Sequence, residues 1–180
     1  MSPVPRRIFI LRHAKAEAAD GRLQDHDRTL TARGVLDARR LGDFLAAEGS
    51  LPSLVLCSTA ARARGTYDAL GWQVPVKYLE RLYLASVGDL IAALQMLDDS
   101  VRQVMIIGHN PGLLEAIVWL MADARYEKDI RQLTRKFPTA TLAELELSLG
   151  AWRDLAPATA TLTRLLMGRE LPEMREPKRA

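Results

Sequence analysis

Four short apolar runs constrain this chain more than any other feature: Ile8 to Leu11, Leu54 to Cys57, Val74 to Tyr78 and Val104 to Ile107, the third diluted by Pro75 and Lys77. A short, nearly continuous apolar run is expected of a strand buried on both faces. Helical patterns separate the runs. Thr31 can cap a helix on which Val35, Ala38, Leu41 and Leu45 recur at three- and four-residue spacing, with Gly49 at its end. A second helix is expected over Ala60 to Leu70, stopping at Gly71. Ser86 can cap a third that carries Leu90, Ala93, Leu94 and Leu97 on one face, and Pro111 can open a fourth through Leu114 and Val118.

Strand then helix, repeated, predicts a mostly parallel sheet with a layer of helices on each face, an α/β/α sandwich. Near the C-terminus ATLAELELSLG, with Leu142, Leu145, Leu147 and Leu149, is expected to form an edge strand covered on one side, and Thr161 to Met167 a last short helix. A chain of 180 residues, 48% hydrophobic, suits a single domain over residues 1–180. Its ends, about 1–5 and 170–180, are rich in proline and charge and are expected to be loose.

Lys and Arg total 25 against 22 Asp and Glu, for a net charge of +3. Without a basic stripe or an aromatic platform that excess gives no basis for a nucleic-acid partner. Most of the cations are arginines, whose planar fork suits phosphate or carboxylate. The single cysteine, Cys57, excludes an internal disulfide and lies in the apolar LVLCS, as a buried small hydrophobe would. No apolar segment reaches about 18 residues, and MSPVPRR leads into a strand rather than a signal peptide. No membrane span is expected, and the setting is expected to be cytoplasmic. Trp72, Trp119 and Trp152 fall within helix and strand patterns and are expected to be packing residues.

The chain has three histidines, and two occupy equivalent places. His13 follows the first apolar run by one residue, and His109 follows the fourth across Gly108. In a parallel sheet ligands bind beyond the carboxyl ends of the strands, so both should face one crevice. Arg12 adjoins His13, and Arg62 in CSTAARARGT lies just past the second run, where the next helix begins. That helix start, and the one after GHNPG with Asn110 as its cap, offer free N–H groups to an anion. Two histidines, two arginines and two helix starts suit a phosphate or sulfate. His26, in DHDR, is placed in a polar loop, with the mouth of the pocket as the alternative because Arg28 is so near. Lys15 is expected to contact either substrate or solvent. His13 and His109 with Asp20, Asp25 or Asp27 could ligate a divalent cation, but the neighbouring guanidinium groups would repel it, so no metal or other cofactor is expected. No P-loop pattern occurs.

The set LRHAKAE, LTARG, STAARARGT and GHNPGL, spanning roughly residues 8 to 150, resembles the histidine phosphatase superfamily, in particular its small SixA-like phosphohistidine phosphatase branch. The resemblance implies a phosphoglycerate mutase-like fold, a three-layer sandwich whose mostly parallel sheet has an antiparallel edge strand. It implies a transient phosphohistidine on His13, with Arg12, Arg62 and His109 completing the phosphate pocket and Arg28 at a further basic position. Where many members have Arg-His-Gly this chain has Arg-His-Ala, and alanine is small enough for the same turn.

A neutral imidazole is a competent nucleophile at neutral pH. His13 would attack phosphorus while the arginines and a protonated His109 stabilise the oxygens, and no metal is needed. Glu80, near the end of the third strand, is the one candidate general acid; its alternative is a solvated charge beside Lys77 and Arg81. A phosphohistidine substrate would ease the need for an acid, because imidazole leaves more readily than an alkoxide. The expected activity is therefore hydrolysis of a phosphohistidine, with a phosphohistidine-bearing protein as the expected partner. The alternatives are a phosphatase for a small metabolite ester and a catalytically weak phosphate-binding regulatory module.

Overall fold

The computed structural model describes residues 5–19, 21, 23–122, 131, 133–134 and 136–173. Its strands are β1 (Arg6–Arg12), β2 (Leu54–Ser58), β3 (Val76–Leu79), β4 (Gln103–Gly108), β5 (Thr141–Leu147) and β6 (Ala160–Met167). They form a single sheet in the order β3-β2-β4-β1-β5-β6. The pairs β2–β3, β2–β4 and β1–β4 are parallel; β5 runs antiparallel to both β1 and β6. The helices are α1 (Ala32–Ala47), α2 (Ala61–Leu70), α3 (Val87–Gln95) and α4 (Gly112–Leu120).

The alternation of strand side chains builds the two outer layers. Ile8 and Ile10 of β1 join Leu56 and Ile106 in a core with Leu90, Leu94, Leu113 and Ile117 of α3 and α4. Phe9 and Leu11 point the other way, into a core with Leu41 and Leu45 of α1 and Leu70 of α2. Both faces of β1, β2 and β4 are thus covered, which is why these strands appear in the sequence as unbroken apolar runs. Burying each such side chain contributes roughly 1.5–3 kcal/mol.

The expected helix signals hold. Thr31 Oγ1 accepts from the Gly34 N–H at 3.0 Å, Ser86 and Asp89 form a capping box, and α2 ends on Gly71 with φ of 74°, a left-handed position suited to glycine. At Gly34 a side chain would run into the backbone of Lys15, so α1 lies directly against the loop that follows β1.

Four expectations are corrected. Residues Thr161 to Met167 are not a helix but most of β6, because the free edge of β5 offers a ladder of hydrogen-bonding groups that a helix would leave unpaired. Thr141–Leu147 is consequently an interior strand, and β6 is the edge. Asn110 does not cap α4: its Nδ2 donates to the Phe137 carbonyl at 3.4 Å, and Pro111 precedes the first helical residue, Gly112. Of the ends expected to be loose, residues 1–4 and 174–180 lie outside the described residues. Residues 170–173 are tied down, with Leu171 packed on the α1 core and Glu173 accepting from Arg40 at 2.5 Å. Among the described residues no helix is long and apolar enough to cross a membrane.

Candidate active site

The carboxyl ends of β1, β2 and β4 lie side by side, and the register that pairs Arg12 with Gly108 brings the residues just beyond them together. The His13 N–H donates to the Gly108 carbonyl at 3.0 Å, and the Ala140 N–H is shared between the carbonyls of Arg12 and His13. His13 and His109 therefore meet, their ring centroids 5.0 Å apart and tilted by 54°.

His13 is held in one tautomer. Its Nδ1 lies 2.8 Å from the Ala14 carbonyl oxygen, which can only accept, so Nδ1 carries the proton and Nε2 the lone pair. Burial is the main force lowering its pKa to about 4; the Ala14 carbonyl opposes this, and the Arg62, Arg12 and Arg28 charges reinforce it. His109 is 5% exposed, its Nε2 is 2.8 Å from Ser58 Oγ, and its Nδ1 is buried with no partner among the described residues. Burial, then His13 and Arg62, lowers its pKa to about 3, with the charge of Asp25 opposing. Burial and the neighbouring cations thus work against the proton that the sequence reading places on His109.

The arginines are organised by an acid. Arg62, 4% exposed, donates through Nη1 to the Asp25 carbonyl at 2.5 Å and through Nη2 to Asp25 Oδ2 at 2.9 Å. Arg28 donates from Nη1 to Asp25 Oδ1 at 2.7 Å and from Nε to the Glu17 carbonyl at 2.9 Å. The Tyr83 hydroxyl donates to Asp25 Oδ2 at 2.7 Å. That Tyr83 bond, then Arg28 and Arg62, holds the Asp25 carboxyl well below the usual range, and it is ionised. Arg12 donates from Nη1 to the Phe137 carbonyl at 2.8 Å, and its Nε is buried without a partner among the described residues.

Arg12, His13, Arg28, Arg62 and His109 come together here, whereas Lys15 is exposed and Asp20 lies outside the described residues. Glu80 is exposed, and its Oε2 accepts from Thr59 Oγ1 at 2.5 Å rather than turning toward His13. His26 takes the mouth of the pocket: its Nε2 is 3.0 Å from the same Thr59 oxygen, and its ring meets Tyr83 edge-on at 4.9 Å. Tyr83 in turn meets His109 edge-on at 5.5 Å. Sequence reasoning missed Ser58, Thr59, Tyr83 and the counter-charge role of Asp25. Ser58 ends β2 and Thr59 follows it just as Arg12 ends β1 and His13 follows it, so the strand-end rule reaches them; Tyr83 carries no such signal. Among the described residues no group of three or more His, Cys, Asp and Glu is placed to hold a metal ion. Cys57 is buried, and burial pushes its thiol up to about 12, so it is no nucleophile.

Comparisons with known proteins point to one family. The family model for the histidine phosphatase superfamily (branch 1) matches residues 8–95, which include Arg12, His13, Arg28 and Arg62. An uncharacterised protein of Mycobacterium tuberculosis is 36% identical over 153 residues, spanning 84% of this chain and 96% of that protein. Among solved structures, a candidate phosphohistidine phosphatase SixA from Nakamurella multipartitia is 33% identical with a TM-score of 0.80, covering 92% of this chain and 98% of its own. Its counterpart from Agrobacterium tumefaciens is 30% identical with a TM-score of 0.74, covering 91% and 98%.

Proposed function

The chain belongs to the histidine phosphatase superfamily, within its SixA-like group, and from that premise we propose that it hydrolyses phosphohistidine on a partner protein through a covalent phosphohistidine on His13. The observation that carries the reading is the bond between His13 Nδ1 and the Ala14 carbonyl, because it leaves the Nε2 lone pair available in a ring that burial keeps neutral.

In this reading Nε2 attacks phosphorus in line with the leaving group. Arg12, Arg28 and Arg62 spread over the phosphoryl oxygens, and Asp25 keeps two of the three guanidinium groups oriented. A bound dianion favours the cationic form of His109, reversing the effect of burial, so His109 gains its proton with the substrate and shares the oxygen charge. Water then cleaves the P–N bond to His13 and releases phosphate. The chain's own cations supply the positive charge, so the proposed chemistry calls for no metal or cofactor.

A protein-borne substrate is supported by exposed apolar side chains close in sequence to the site: Leu23 and Leu84, 57% and 58% exposed, lie two residues from Asp25 and one from Tyr83. With its one thiol buried and inert, the chain suits a reducing cytoplasm. The reading is tested by comparing kcat/KM on a phosphohistidine protein with that on a set of small phosphate esters. A preference for the phosphohistidine protein is expected; faster turnover of a metabolite ester gives the site to that substrate class instead, and no turnover of either leaves only a phosphate-binding module.

A further inference from the structure

The reading above gives the leaving group no proton. Glu80 does not supply one directly, since its carboxylate is engaged by the Thr59 hydroxyl. That hydroxyl is the key to a short chain of groups. The Thr59 hydrogen goes to the Glu80 carboxylate at 2.5 Å, so the Thr59 oxygen faces His26 as an acceptor. His26 Nε2, 3.0 Å away, must therefore carry a proton, and the exchangeable position of the ring is Nδ1. Asp27 Oδ1 lies 3.4 Å from Nδ1. This repeats the logic by which a carboxylate and an intermediate group fix one nitrogen of a catalytic histidine so that the other can move protons.

The position fits that role. Ser58 and Thr59 are consecutive at the end of β2; one holds His109 and the other holds His26. The two imidazoles flank the ring of Tyr83, which stands edge-on to both, with interplanar angles of 89° and 76°. His26 also belongs to the turn Asp25–Asp27, whose first residue grips Arg62. His109 lies against the nucleophile, and His26, partly exposed, is linked to His109 through the ring of Tyr83.

We propose that His26 is a catalytic acid and base of this site, held in register by Thr59 and Glu80. The proposal rests on the phosphohistidine reading of the pocket. In the first step the His13 Nε2–P bond forms as the P–N bond to the substrate histidine breaks, and the proton on His26 Nδ1 passes to the departing nitrogen, leaving His26 neutral with its proton on Nε2. In the second, His26 Nδ1 takes a proton from the attacking water as the P–N bond to His13 breaks and phosphate leaves. As the P–N bond breaks, the departing nitrogen becomes far more basic than the imidazole that donates, so the proton transfer runs downhill toward the leaving group.

Leaving-group dependence separates an acid from a structural residue. With the full chain, kcat/KM is measured on p-nitrophenyl phosphate, whose leaving group departs without a proton, and on a phosphohistidine peptide above neutral pH, where the leaving imidazole needs one. His26→Gln is expected to lower turnover of the peptide at least about tenfold more than that of the aryl ester, within the range typical of acid–base catalysis. Thr59→Val, which removes the hydroxyl and keeps the shape, should lower the same ratio in the same direction by a smaller factor. Equal losses on both substrates, or none on either, overturn the assignment. Wild-type protein that turns over neither substrate, or His13→Ala protein that retains activity, overturns the phosphatase reading itself and this assignment with it.

Discussion

The imidazoles of His13 and His109 lie 5.0 Å apart although they come from opposite halves of the chain, and the parallel pairing of β1 with β4 is what joins them. Two rings so close, buried and beside Arg62, resist becoming cationic together, which has a consequence for stability.

Unfolded histidine binds a proton at about pH 6.5, whereas in the folded protein His13 holds out to about 4 and His109 to about 3. Between those values the unfolded chain binds more protons, so the stabilising difference is fully present above about pH 6.5 and is lost as pH falls. Urea unfolding at pH 7 and pH 5 should show a loss of roughly 2 kcal/mol or more in the wild type. The loss should be distinctly smaller in the His13→Gln/His109→Gln double variant; an equal loss in both proteins would mean that these two rings are not the origin.

Arg62→Ala should lower kcat by about 10²–10³, the usual cost of removing one donor to transition-state charge. Arg62→Lys should not restore it, because a single ammonium cannot make both contacts to Asp25 and still face the phosphate. Asp25→Asn keeps the backbone carbonyl that binds Arg62 but weakens three side-chain hydrogen bonds, and about a tenfold loss in kcat/KM is expected. Steady-state kinetics on p-nitrophenyl phosphate decide; wild-type kinetics in Asp25→Asn would remove it from the positioning role.

Two glycine substitutions of the same kind should have opposite signs. In Gly34→Ala the new methyl meets the backbone of Lys15, two residues from His13, so a loss of about 1–3 kcal/mol is expected together with reduced activity. In Gly88→Ala, within α3, only the Ser86 hydroxyl comes near, at 3.7 Å, and a gain of up to about 1 kcal/mol is expected. Thermal unfolding of the two variants checks both signs.

The sequence carried the fold's centre more fully than its margin. Ile8 to Leu11, Leu54 to Cys57 and Val104 to Ile107 are legible because both faces of those strands are covered, and Arg12, His13, Arg62 and His109 follow from the strand ends. Residues Ala160–Met167 were not legible: Leu162, Leu165 and Leu166 suit a helix as well as a strand, and the open edge of β5, set by tertiary pairing, decides between them. Asp25 was visible as an acid but not as the counter-charge of Arg28 and Arg62, since its partners Arg62 and Tyr83 come from distant elements. The lowered pKa of His109 was not legible for a similar reason. Neighbouring arginines can be guessed from a motif, whereas the burial that outweighs them cannot.

The central claim is a covalent phosphoryl group on His13, and trapping it is the most direct test. Brief exposure to a substrate carrying labelled phosphate, followed by an alkaline quench, should leave on the wild-type chain a label that is stable to base and released by acid, with none on His13→Ala. Wild-type protein that turns over substrate yet yields no such label, or a label that persists in His13→Ala, would contradict the account.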